Sequence, residues 1–166
     1  MGDVGEVWNA VKDTATLFSN KQSINMGQRA FGCPNGMQPS QLEWGNSATQ
    51  DKLNKTLTWT NRAREWFGLS TGTQLRFGCI WTYGGTSRDH PGSYLHDAYL
   101  WAVLDWSTLG DDFTVTGGFG DAVPHGSTVE VSAWIDIVDR QFTVQQGQYR
   151  YDIRILGDGS GTRRRV

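Results

Sequence analysis

Ser127–Val138 reads STVEVSAWIDIV, and its period of two decides the fold class. Val129, Val131, Ala133, Ile135 and Ile137 occupy every second position, with Thr128, Glu130, Ser132, Trp134 and Asp136 between them. Successive side chains of a strand point to opposite faces, so this stretch predicts a half-buried β-strand with a continuous apolar face. One large ring breaks the polar set. Trp134 sits alone among polar neighbours, so alternation places it on the surface, either exposed or covered by a partner.

The same period extends outward on both sides. Phe113, Val115 and Phe119 alternate with Asp112, Thr114 and Thr116, and Tyr149, Tyr151, Ile153 and Ile155 alternate with Arg150, Asp152 and Arg154. In Thr73–Tyr83 the inward set is Leu75, Phe77, Cys79, Trp81 and Tyr83; in Lys52–Asn61 it is Leu53, Leu57 and Trp59. Tyr94–Trp106 is apolar on both faces and reads as a central strand covered on both sides. Turn signals separate these runs: Pro34-Asn35-Gly36, Gly84-Gly85, Pro91-Gly92, Gly110-Asp111, Gly117-Gly118, Pro124-His125-Gly126 and Gln146-Gly147. Strands at this spacing predict a mainly β protein, an antiparallel β-sandwich or flattened barrel of about 8–9 strands. Residues 22–156 form that single domain. Residues 32–50 read as a long loop with one short strand, 61–69 as a single helical turn, and 157–166 as a flexible basic tail ending in Arg163-Arg164-Arg165.

Residues 1–21 have a different period. Val4, Val7, Trp8, Val11, Ala15 and Phe18 recur at helical spacing, while Asp3, Glu6, Asn9, Lys12, Asp13 and Thr16 fill the other face. Asp3 with Glu6 makes an arrangement like a capping box. The expectation is an amphipathic helix whose apolar stripe (Val4, Val7, Trp8, Val11, Phe18) docks on the sandwich, on a neighbouring subunit or on a bilayer. Its polar face is acidic, so a membrane target would be neutral or zwitterionic. An amphipathic N-terminal helix ahead of an aromatic-rich sandwich resembles the layout of actinoporin-like cytolysins. The resemblance implies a compact sandwich that binds membrane through an aromatic patch and a helix that detaches to build an oligomeric pore.

Composition narrows the function classes. The chain has 166 residues, enough for one ordinary domain, and a net charge of −2, so no global field gathers nucleic acid as a main partner. It lacks a signal peptide's charged start and apolar middle, and no stretch approaches the length of a transmembrane helix. Cys33 and Cys79 permit a single bridge, while Cys79, in an apolar strand, equally suits a buried free thiol. His90, His96 and His125 show no metal-ligand spacing, and no cofactor motif is present. His96 and Asp97 fall on opposite faces of a strand and so do not form a base–orienter pair. No nucleophile elbow, Walker loop or dinucleotide fingerprint occurs, which points away from an enzyme. A small hydrolase would need His96, His125 and carboxylates to converge.

Eight tryptophans remain to be placed. An indole couples a large apolar ring to an N–H that wants a partner, which suits a recognition surface. Trp134 with Asp136 and Glu130 forms the candidate ligand patch, with Trp44 and Trp66 as further contacts from loop-like segments. The reading is a non-enzymatic binding protein for membrane lipid or glycan, homo-oligomeric, with a pore-forming toxin as one form. The alternative is a self-assembling structural subunit of a phage, virion or other particle, with aromatic subunit interfaces.

Overall fold

Strands carry the chain in the computed structural model, which describes residues 22–26, 29–50, 55–60, 72–106, 111–141 and 144–166. They are β1 (Gln22–Asn25), β2 (Ala30–Gly32), β3 (Ala48–Gln50), β4 (Lys55–Thr60), β5 (Gly72–Gly85), β6 (Tyr94–Trp106), β7 (Asp111–His125), β8 (Thr128–Gln141), β9 (Val144–Leu156) and β10 (Gly161–Arg165). One 3-10 turn, Pro39–Gln41, precedes β3. The first sheet has the order β1-β7-β8-β9-β10, a meander with β1 added in parallel. The second has the order β2-β6-β5-β3, and β4 also pairs with β5. All its pairings are antiparallel. β3 meets residues 81–83 of β5 and β4 meets 72–77, so the two lie end to end along one margin of that strand. Each sheet keeps two ends, which makes the fold a sandwich and not a closed barrel.

The inward sets meet in one core. Val129, Val131, Ala133, Ile135 and Ile137 of β8 pack with Leu75, Phe77, Cys79 and Trp81 of β5. Each such side chain taken from water contributes about 1.5–3 kcal/mol. Two contacts tie the sheets directly: the Phe77 and Tyr151 rings lie 4.9 Å apart at 50°, and Trp81 Nε1 donates to Leu156 O at 3.1 Å. Trp81 is fully enclosed. A core indole with its N–H satisfied costs nothing for burial of the donor.

Four expectations need correction. The regular alternation expected along β6 is broken by a bulge. Ile80 pairs with Tyr99 but Thr82 pairs with His96, so one residue of β5 opposes two of β6, and Asp97 takes a φ of 49°. Leu95 is inward before the bulge and Ala98, Leu100 and Ala102 after it, so the alternation changes parity, while Val103 on the opposite face is also buried and keeps the strand apolar on both sides. Gly117-Gly118 is no turn but lies within β7. A Cβ at Gly117 would fall 2.8 Å from Leu100 Cδ1, and one at Gly118 would fall 3.1 Å from Trp134 Cζ2. These glycines make room for side chains from a facing sheet and a neighbouring strand. Gly147 likewise lies inside β9, against the Tyr149 ring; β8 ends at Gln141 and β9 begins at Val144.

The fourth correction is the C-terminal segment. Residues 161–165, expected in a flexible tail, form β10 and pair with β9. Asp158 organises the connection: its Oδ1 accepts from the Ser160 N–H at 2.9 Å and from the Ser160 hydroxyl at 2.6 Å, and Gly159 sits at a φ of 87°. An Asx-type turn followed by a left-handed glycine reverses the chain into a hairpin. Cys33 and Cys79 are not joined by a disulfide. The helix expected over residues 1–21, with Val4, Val7, Trp8, Val11 and Phe18, the helical turn at 61–69, and Trp66 lie outside the described residues.

Candidate functional site

The candidate site is the outer face of the first sheet, where strand alternation delivers Glu130, Ser132, Trp134 and Asp136 from β8. Register sets Gly118 of β7 and Asp152 of β9 on either side of Trp134, with Thr116 and Arg150 flanking Asp136. On β10, Thr162 pairs with Arg154 and Arg164 with Asp152. The second sheet uses the same device on its own strands, with Trp101 registered against Gly78 and packed on it. An aromatic ring covering a cross-strand glycine protects a strand position that has no side chain of its own.

Trp134 is half-buried, resting against Gly118. The Arg150 guanidinium carbon stands 5.4 Å from its ring centroid. Arg150 is itself held, with Nη1 3.3 Å from Asp136 Oδ2 and Nε 3.4 Å from Asp152 Oδ1. Beside this ring opens a groove of about 550 Å³, lined by Gly120, Ser132, Trp134, Arg150, Asp152, Arg154, Thr162 and Arg164 among others. The floor therefore offers one indole, two hydroxyls, one carboxylate and three guanidiniums. Glu130 supports the wall from behind. It is only 8% exposed, with Oε2 3.1 Å from His125 Nδ1 and Oε1 3.4 Å from Arg154 Nε. A carboxylate withdrawn from water needs a cation such as Arg154 and hydrogen-bonding neighbours.

The sequence-derived patch is thus brought together in part. Glu130, Trp134 and Asp136 share one face of β8. Trp44 does not join them: its Nε1 donates to Pro39 O at 2.7 Å, and its ring packs on Gly85 and on His96, at a centroid distance of 4.1 Å, in the other sheet. The groove's other polar residues were visible only in part. Arg150, Asp152 and Arg154 were legible as the outward set of their strand, whereas Thr162 and Arg164 were hidden in what looked like a tail.

Two further places hold polar chemistry. The β6 bulge overturns the expected separation of His96 from Asp97: His96 Nδ1 lies 3.3 Å from Asp97 Oδ2, and Arg29 Nη1 lies 2.9 Å from Asp97 Oδ1. A left-handed residue turns its side chain back toward its neighbour, which regular alternation forbids. At one end of the sandwich a second groove, of about 540 Å³, is lined by Pro34, Pro91, Pro124, Tyr94 and Cys33 among others. Burial pushes the Cys33 thiol up to about 11. Among the described residues no cluster of three His, Cys, Asp or Glu side chains forms a metal site. No protein-family model, curated protein or solved structure matches the chain.

Proposed function

We propose that this protein is a non-enzymatic glycan-binding β-sandwich whose binding site is the groove beside Trp134. One observation carries the reading: an indole held in place on an outer sheet face, at the edge of an open groove that also offers hydroxyl, carboxylate and guanidinium groups beside Phe119 and Ile153. A pyranose presents an apolar C–H face and a rim of hydroxyls, which match a ring and its polar surround. The same surround argues against lipid hydrocarbon at this place, because the charged groups would have to leave water. A membrane-engaging or pore-forming version rests on the apolar stripe of residues 1–21.

The test is a glycan panel followed by titration. Trp134→Ala should weaken the best-bound glycan about thirtyfold, the scale of a central aromatic contact worth ~2 kcal/mol, while Trp44→Phe leaves affinity unchanged. A folded protein that binds no glycan, or binds equally well without the Trp134 ring, removes this reading. A self-assembling subunit is the second reading. It is favoured by the sheet margins: among the described residues β10 pairs only with β9 and β2 only with β6, and β2 carries Phe31 at 43% exposure. Light scattering on the purified chain separates the two, since a symmetric particle formed without glycan supports the subunit.

A further inference from the structure

We infer that the Trp134 groove selects acidic sugars, those bearing a carboxylate or sulfate, over neutral ones; this rests on the glycan-binding reading above. The charges that line the groove are Arg150, Arg154 and Arg164 against Asp152 alone. The three arginines are not equivalent. Arg150 is engaged by two carboxylates and by the Trp134 ring, so it serves as structure. Arg154 is anchored through Nε on the buried Glu130, which leaves its two terminal nitrogens on a side chain that is 64% exposed. Arg164 touches Asp152 only at 3.9 Å and is 80% exposed. Anchoring one nitrogen of a planar guanidinium while freeing the other two presents a fork suited to a carboxylate or sulfate.

Register brings these two forks together. Arg154 stands opposite Thr162, two residues before Arg164 on β10, and opposite Ser132 on β8. Two hydroxyls therefore flank the Arg154 guanidinium, with Arg164 beside Thr162 and the indole beside Ser132. That set matches an acidic oligosaccharide: sugar hydroxyls on Ser132 and Thr162, the anionic substituent on Arg154 and Arg164, and a neighbouring sugar unit against the exposed part of the indole. Glu130 sits behind Arg154 and, being buried, meets the groove only through it. The chain as a whole carries a net charge of −2, so the attraction for an anion is local to this groove. A nucleic acid strand fits less well. Single-stranded nucleic acid is held by successive stacking platforms along a basic track, and this groove has one indole, with Arg150 already engaged by two carboxylates.

The inference is tested by titrating the full chain with four probes: an oligouronate, the same oligosaccharide with its carboxyls reduced to alcohols, a sulfated neutral oligosaccharide and an oligothymidylate. The oligouronate or the sulfated sugar should bind about tenfold more tightly than the reduced one at low salt, and the gap should close as salt rises. The tighter of the two names the anionic group. Arg164→Gln should abolish most of that preference, weakening the acidic sugar far more than the reduced one. Arg154→Lys, which keeps a cation on Glu130 but loses the planar fork, should do the same. Equal affinity for the acid and its reduced form, with both lost in Trp134→Ala, overturns acid selection and keeps the glycan reading. No sugar binding at all overturns both, and tighter binding of the oligothymidylate than of any sugar overturns both in favour of nucleic acid.

Discussion

Single side chains divide sharply between those that close the core and those that dress its surface. Trp81 closes the core by tying β5 to β9 through its indole N–H. Trp81→Phe removes that donor, strands the Leu156 carbonyl and leaves a gap, so stability should fall by about 2 kcal/mol or more. Chemical denaturation checks this; an unchanged midpoint contradicts the inter-sheet bond. At the β9–β10 turn the Ser160 hydroxyl and N–H beside Asp158 hold its carboxyl below the usual carboxylate range. A depressed folded value adds stability that is present above the unfolded value of 3.8 and is lost as pH falls through the lower folded one. Asp158→Ala should therefore lower stability at pH 7 by at most about 1 kcal/mol, since the group is exposed. The gap between the two proteins should narrow in acid below about pH 4. A gap independent of pH would show that the carboxylate is not what holds the turn.

At the scale of elements, alternation was the reliable signal and interruptions of it were not. β8 is legible because nothing breaks its period of two, and β5 likewise places Leu75, Phe77, Cys79 and Trp81 inward. Ile135 and Ser132 lie on opposite faces of the same strand. Ile135→Ala should cost about 2–5 kcal/mol, whereas Ser132→Ala should change stability by no more than about 0.5 kcal/mol. Similar losses at both would contradict the assigned faces. The misreadings share a cause. A bulge, such as that at Asp97, reverses parity without a Gly or Pro to announce it. A glycine inside a strand, such as Gly118, looks like a turn unless the ring that covers it is known to be opposite. The short strands β1 and β2 exist through pairing with the distant β7 and β6, and β10 through its hairpin with β9, so their own residues carry little period. Trp134, Asp136 and Glu130 were readable as one face from β8 alone. The arginines that complete the groove became neighbours only through the register of β8, β9 and β10.

On the scale of the whole molecule, the sandwich is a rigid support that presents a half-buried indole among charges on its outer surface. Four tryptophans follow that division: Trp81 is sealed within the core, while Trp44, Trp101 and Trp134 are half-buried. Trp44 and Trp101 pack over glycines of the second sheet, and only Trp134 of these borders the groove beside Arg150 and Asp152. The most direct measurement is a heteronuclear NMR titration of the indole N–H signals with an acidic oligosaccharide, the Trp134 signal being assigned by its disappearance in Trp134→Phe. The Trp134 resonance should shift in proportion to occupancy while those of Trp81 and Trp101 stay fixed. A set of indole signals that does not move, or one in which Trp101 moves and Trp134 does not, contradicts the assignment of this groove as the binding site.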